Sequence, residues 1–160
     1  MTRYDIGYEG EKLVFDWFKN QGHIVEMSTD RYDVTKDLSV DGQNMEIKTQ
    51  TIYRKFPCFG ETKPAFTVPV AEDTRTYRNQ LSKCMNVDRL IFVARSSEYN
   101  PFVHIYEAPR RGERNFTLIK NKNDGRYVAG FFIESMELLD TISDANIVEN
   151  FMDEWKSGRQ

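Results

Sequence analysis

The spacing of hydrophobic positions changes several times along the chain, and each change predicts an element. From Asp5 the pattern is helical to about Asn20: Val14, Phe15 and Phe18 share an apolar arc, Asp5 can cap the start and Gly22 closes the end. His23 to Met27 reads as a short strand. Asp33 to Val40 and Gln43 to Thr51 alternate as two strands around Asp41-Gly42, a hairpin signal because both turn residues tolerate positive φ. Pro57, Gly60 and Pro64 predict a loop, followed by a strand at Ala65 to Val70. Thr74 to Met85 reads as a second helix. The unbroken run Leu90-Ile91-Phe92-Val93-Ala94 predicts a strand buried on both faces. Phe102 to Tyr106, Phe116 to Ile119 and Val128 to Ile133 are further strands. Ala145 to Lys156 predicts a terminal helix with Ile147, Val148, Phe151 and Trp155 on one side. The order implies an α/β sandwich with a mixed sheet.

Bulk properties narrow the class without changing that picture. A chain of 160 residues is expected to form one domain, and 39% hydrophobic with 29% charged residues is the balance of a soluble globular protein. There is no apolar stretch to span a bilayer and no apolar core in MTRYDIGYEGEK to act as a secretion signal. Cys58 and Cys84 have no metal-site spacing and are expected to be reduced thiols, which points to the cytoplasm; with no spanning stretch, no membrane partner is expected.

Charge matters more by position than by sum. The net charge of −3 gives no support for a polyanionic partner. From Glu134 to Glu154, however, seven acids meet no Lys or Arg, whereas Arg110, Arg111, Arg114, Lys120, Lys122 and Arg126 crowd a short stretch upstream. Arg54, Lys55 and Lys63 follow the hairpin. Two readings stand: a basic face offset by an acidic tail, of the kind phosphate binding needs, or ordinary solvated charges.

The hairpin carries the candidate chemistry. With a two-residue turn, Val40 pairs with Gln43, and stepping outward sets Asp37 opposite Glu46, Thr35 opposite Lys48 and Asp33 opposite Gln50, all on one face. Leu38, Met45 and Ile47 take the other. Two opposed carboxylates have Cβ atoms about 5 Å apart. That arrangement is repulsive unless a divalent cation lies between them or Lys48 neutralises them. Mg²⁺ takes one or two carboxylates plus waters and phosphate oxygens, and Lys48 could orient an attacking water. Gln50, further along the same face, could hold a water or phosphate oxygen, or close a sheet hydrogen bond. Arg78 and Lys83 on the second helix could meet a nucleic-acid backbone or simply be solvated. His23 and His104 stand alone and are expected to be structural.

Asp37 followed by Glu46-Ile47-Lys48 resembles the split D…(D/E)xK signature of the PD-(D/E)XK nuclease superfamily, which includes restriction endonucleases, archaeal Holliday junction resolvases and small phage nucleases. The resemblance spans roughly residues 7 to 93, and KDLSVDGQNMEIKTQ is its most specific piece. It implies a restriction-endonuclease-like core, a mixed central sheet flanked by helices. It also implies Mg²⁺-dependent hydrolysis of DNA phosphodiesters, with Mn²⁺ substituting, and Asp37, Glu46 and a glutamate from the first helix near the metal. Glu9 and Glu11 compete for that last place; Glu11 lies inside the apolar arc, where a carboxylate needs a partner, and is preferred. No proline precedes the first acid, and both Asp37 and Asp33 have compatible spacing. Hairpin geometry favours Asp37, since Asp33 lies about 13 Å further along the strand.

Three readings follow: a Mg²⁺-dependent endonuclease acting on duplex or branched DNA, for which a homodimer would supply the two sites that symmetric cutting calls for; a catalytically inactive nucleic-acid-binding module of the same fold; or an unrelated α/β protein-interaction domain whose acidic C-terminal helix is the working surface.

Overall fold

The computed structural model describes residues 3–27, 38–51, 54–58, 60–70, 75–95, 102–120, 122–123 and 125–143. Helix α1 (Arg3–Asn20) begins two residues before the expected cap, so Asp5 lies within its first turns. Gly10, Val14 and Phe18, spaced by four, are buried on one stripe. The helix ends where Gly22 takes φ +91° and its N–H donates to Lys19 O at 3.0 Å.

The hairpin forms as its turn residues predict. Strand β2 (Leu38–Val40) pairs with β3 (Gln43–Gln50) in the register Val40↔Gln43, Ser39↔Asn44, Leu38↔Met45. Asp41 and Gly42 both adopt positive φ, 50° and 84°, as a two-residue turn matched to strand twist requires. Strand β1 (Val25–Met27) adds to the outer side of β2. Residues 33–37, and with them Asp33 and Asp37, lie outside the described residues.

The stretch expected to be a loop is instead a hairpin, β4 (Arg54–Cys58) with β5 (Glu61–Val70). Its prolines are tolerated because each has a neighbouring strand on one side only. Pro57 is on β4, which pairs with β5 alone; Pro64 precedes the first β5–β9 pair; Pro69 lies past the last β4–β5 pair. Helix α2 (Arg75–Asn86), β6 (Arg89–Arg95), β7 (Phe102–Glu107), β8 (Thr117–Lys120) and β9 (Tyr127–Phe132) follow close to their expected places. A further strand, β10 (Glu137–Ser143), occupies what read as the start of an acidic tail. It pairs with β7 through a register shift between Leu138 and Asp140. The helix expected over 145–156 lies outside the described residues.

The mixed sheet is present, in the order β1-β2-β3-β6-β7-β10, with β3 and β6 its parallel pair. It is not the sole sheet: β4-β5-β9-β8 form a second, antiparallel one. Two cores result. On one face of the mixed sheet Leu38, Val40, Met45, Ile47, Ile91 and Val93 pack under Val14 and Phe18 of α1. On the other, Leu90, Phe92 and Ala94 meet Phe66, Val68 and Phe131 of the second sheet and Cys84 of α2. Phe66 stacks on Phe92 with ring centroids 4.5 Å apart. Strand β6 is therefore buried on both faces, the physical reason for its unbroken apolar run. No described helix is long and apolar enough to cross a membrane.

Candidate active site

Alternation along β3 decides what faces what. Met45 and Ile47 point into the α1 core, so Glu46 and Lys48 project from the opposite face, toward α2 and the second sheet. Glu46 is only 2% exposed, and a bare carboxylate there would be expensive. Two ammonium groups compensate it. Lys48 Nζ lies 2.9 Å from Oε1, and Lys83 Nζ, from the last turn of α2, lies 3.1 Å from Oε2. The second contact is off the hydrogen-bonding direction and acts as a Coulombic pairing. Lys48 is 24% exposed and Lys83 12%, so the group sits just beneath the surface, where opposite charges attract more strongly than in bulk water.

Lys83, whose position on α2 suits a nucleic-acid backbone or plain solvation equally, turns inward instead. The available clue was its place beside Leu81, Cys84 and Met85, which line the buried side of α2. The C-terminal end of α2 is bound by Arg114, which is 4% exposed although it belongs to the basic stretch read as a possible outer face. Its Nη1 donates to Cys84 O at 3.0 Å and Val87 O at 2.6 Å, Nη2 to Asp88 O at 2.8 Å, and Nε to Pro109 O at 2.9 Å. Burial lowers the Arg114 guanidinium from its usual value. No pattern in the sequence separates Arg114 from its exposed neighbours Arg110 and Arg111. Elsewhere in that stretch Arg110 pairs with Glu113 at 3.0 Å; on β5, Lys63 pairs with Glu134 at 2.9 Å, and that hydrogen bond raises the pKa of the Lys63 ammonium.

Gln50 faces the same side as Glu46 and bridges the sheets. Its Oε1 accepts from Thr67 N at 3.0 Å and Nε2 donates to Ala65 O at 3.3 Å, both on β5. Of the two expected readings of Gln50, the closing of a hydrogen bond between strands is the one these contacts display.

The first-helix glutamates are placed differently from the group around Glu46. Helix α1 packs on the Met45 and Ile47 face of the sheet, and Glu11 on it is partly buried. Glu9 forms an ion pair with Arg95 at the end of β6. Gly10, between them, was overlooked in the sequence, although a mid-helix glycine costs about 1 kcal/mol against alanine and so signals a packing reason. Here the reason is Thr49: a Cβ on Gly10 would lie 1.8 Å from Thr49 Oγ1.

Among the described residues no three His, Cys, Asp or Glu side chains are grouped to hold an ion. A carboxylate has about four lone-pair directions, so two ammonium contacts do not exhaust Glu46 as a ligand. Mg²⁺ needs one or two carboxylates beside waters and phosphates, and Glu46 fits as one. Asp37 and Asp33, the expected second ligand, lie outside the described residues.

At the other end of the mixed sheet, Asp41 Oδ2 contacts His23 Nδ1 at 2.6 Å and its Oδ1 accepts from Ile24 N at 2.9 Å. The His23 hydrogen bond holds the Asp41 carboxyl below its ordinary value. A cleft of about 510 Å³ near this end is lined by Asp88, Arg89, Glu107, Arg110, Glu113 and Glu137 and does not reach Glu46. The Arg89 guanidinium is forked onto Glu107 at 2.6 and 2.9 Å, which raises it from its usual value. No known protein family, no curated protein and no solved structure matches the chain.

Proposed function

We propose that the chain is a Mg²⁺-dependent DNA endonuclease of the PD-(D/E)XK type, built on a restriction-endonuclease-like core. The observation that carries this reading is the nearly inaccessible Glu46 carboxylate, held 2.9 Å from Lys48 on the strand that leaves a tight hairpin. Glu46 would hold the ion together with Asp37, Asp33 being the alternative. When bound, the ion neutralises phosphate charge and lowers the pKa of a coordinated water.

The chain's own contribution is electrostatic. The Lys48 ammonium, fixed beside Glu46, is placed to orient a water and to offset charge developing on a phosphodiester oxygen. Lys83 adds a second positive charge to the same point. Burial on the α2 side limits competing water, which strengthens both effects. Glu11, from α1, would be the further ligand that the resemblance implies.

The test is cleavage of linear duplex, nicked, flap, four-way-junction and single-stranded DNA in Mg²⁺ or Mn²⁺. Glu46→Gln and Lys48→Met are each expected to reduce the rate about 10²–10³-fold, the usual effect of deleting one transition-state charge partner. Unaltered cutting by both folded variants would sink the assignment. One observation favours a second reading: both oxygens of Glu46 are already met by ammonium groups. An inactive DNA-binding module would retain DNA in EDTA and release no products with any metal.

A further inference from the structure

We propose that Arg114 is a positioning residue of the candidate site, setting Lys83 against Glu46; its catalytic consequence rests on the nuclease reading, its geometry does not. Arg114 is 4% exposed and directs four hydrogen bonds to backbone carbonyls at Cys84, Val87, Asp88 and Pro109. A cation near a helix C-terminus is favoured by the helix dipole, yet that benefit is available to a lysine or arginine at the surface. Burying a guanidinium is a costly way to obtain it. What burial adds is fixed direction, since the planar fork holds several acceptors in one geometry.

The acceptors it holds flank Lys83. Cys84 is the next residue, and Val87 donates its N–H to Lys83 O at 3.1 Å. Asp88 completes a closed path: its backbone carbonyl accepts from Arg114, while its carboxylate accepts from Asn44 N at 2.9 Å, two residues before Glu46 on β3. From Glu46 the path runs through Asn44, Asp88, Arg114 and Cys84 to Lys83, and back to Glu46 across 3.1 Å. Both partners of the ion pair are thus referenced to the junction at residues 84–88. Arg114 is the member supplied from elsewhere, by the segment after β7, which Ala108 N ties to Leu90 O at 2.9 Å.

The experiment compares Arg114→Lys, Arg114→Gln, Lys83→Met and the combination of Arg114→Lys with Lys83→Met in the full chain, with folding checked by circular dichroism and urea unfolding. Lysine keeps the charge but cannot span the separated carbonyls. The first readout is the NMR signal of the Lys83 side chain, assigned through Lys83→Met and recorded without metal or DNA. It is expected to be displaced from that of solvent-exposed lysines in the parent protein and to collapse toward them in Arg114→Lys. The second is DNA cleavage in Mg²⁺. Arg114→Lys and Lys83→Met should lose similar rate, about 10–100-fold as for a misplaced group, and the double variant no more than either.

An unmoved Lys83 signal in folded Arg114→Lys, or losses that multiply in the double variant, would overturn the proposal. If Arg114→Lys does not fold, Arg114→Gln, whose short amide cannot span the separated carbonyls either, is read in the same way, and an unmoved Lys83 signal there is equally fatal. If the parent protein cuts no substrate, the nuclease reading fails while the NMR comparison still decides the role of Arg114.

Discussion

Replacing Gly10 with alanine sets two physical effects of opposite sign against each other. In the interior of a helix the change should stabilise by about 0.8–1 kcal/mol, because alanine loses less backbone freedom on folding. At this position the new Cβ would lie 1.8 Å from Thr49 Oγ1, 2.9 Å from Thr49 Cβ and 3.2 Å from Thr49 Cγ2. Rotating the Thr49 side chain relieves the first contact but not the second, since Cβ is fixed by the β3 backbone. To restore an ordinary carbon–carbon separation, α1 must lift from β3 by roughly 0.6–1 Å. Overpacking of this kind costs about 1–3 kcal/mol. The net expectation is a loss of up to about 2 kcal/mol, or a fall in Tm of up to about 8 °C for a chain of this size. Thermal unfolding followed by circular dichroism measures it. Gly10→Ala combined with Thr49→Ala should recover only part of the loss, because the Oγ1 and Cγ2 contacts disappear while the 2.9 Å Cβ contact remains. A single variant whose Tm rises, as helix propensity alone demands, would refute the close approach of α1 to β3.

Thr49 Oγ1 is buried with no hydrogen-bond partner, so Thr49→Val, which keeps the shape and removes the stranded hydroxyl, should stabilise by about 1 kcal/mol in urea unfolding. Gln50→Leu strands Thr67 N and Ala65 O between the sheets and should destabilise by about 1–3 kcal/mol; an unchanged urea midpoint would mean the bridge is not made in solution. The Asp41 carboxyl is held below its ordinary 3.8 by His23, so its contribution to stability is present above that value and lost as pH falls through the lower folded value. Asp41→Asn, which still tolerates positive φ, should therefore lower stability at pH 6 and narrow the difference from the parent protein as pH approaches 3; a constant gap between the two urea midpoints would contradict the His23 link.

Legibility in the sequence followed the range of the interactions involved. The Asp41-Gly42 turn is specified by two residues that accept positive φ, and the face of β3 carrying Glu46, Lys48 and Gln50 follows from alternation alone. Strand β6 was legible because burial on both faces leaves no polar position to interrupt the run. Strand β10 was not, for a local reason. It lies at a sheet edge with Leu138 half exposed, its register shifts beside Asp140, and Asp140 is stabilised by Trp17 Nε1 at 2.8 Å from the far end of the chain. Strand β4 was hidden by prolines that are harmful only where both sides of a strand must pair.

The site divides along the same line. Local rules set Glu46 and Lys48 side by side, yet they describe a surface pair, whose mutual attraction in water is worth little. What turns Glu46 into a buried carboxylate is the cover of α2 and the second sheet, encoded in Phe66, Leu81, Cys84 and Phe92, each of which reads as ordinary core. The same cover brings Lys83 to Oε2, and Arg114 reaches the 84–88 junction from a segment about 30 residues later in the chain. Burial and charge pairing are therefore imposed by tertiary structure on a motif that sequence alone leaves exposed. They raise the energetic cost of altering Glu46 whatever it does, so loss of folding in a Glu46 variant carries no functional meaning by itself. Lys48 is the more discriminating position: it is a quarter exposed, its loss leaves Lys83 to compensate the carboxylate, and a folded Lys48→Met protein that no longer cuts DNA would implicate the ammonium in the chemistry rather than in the fold.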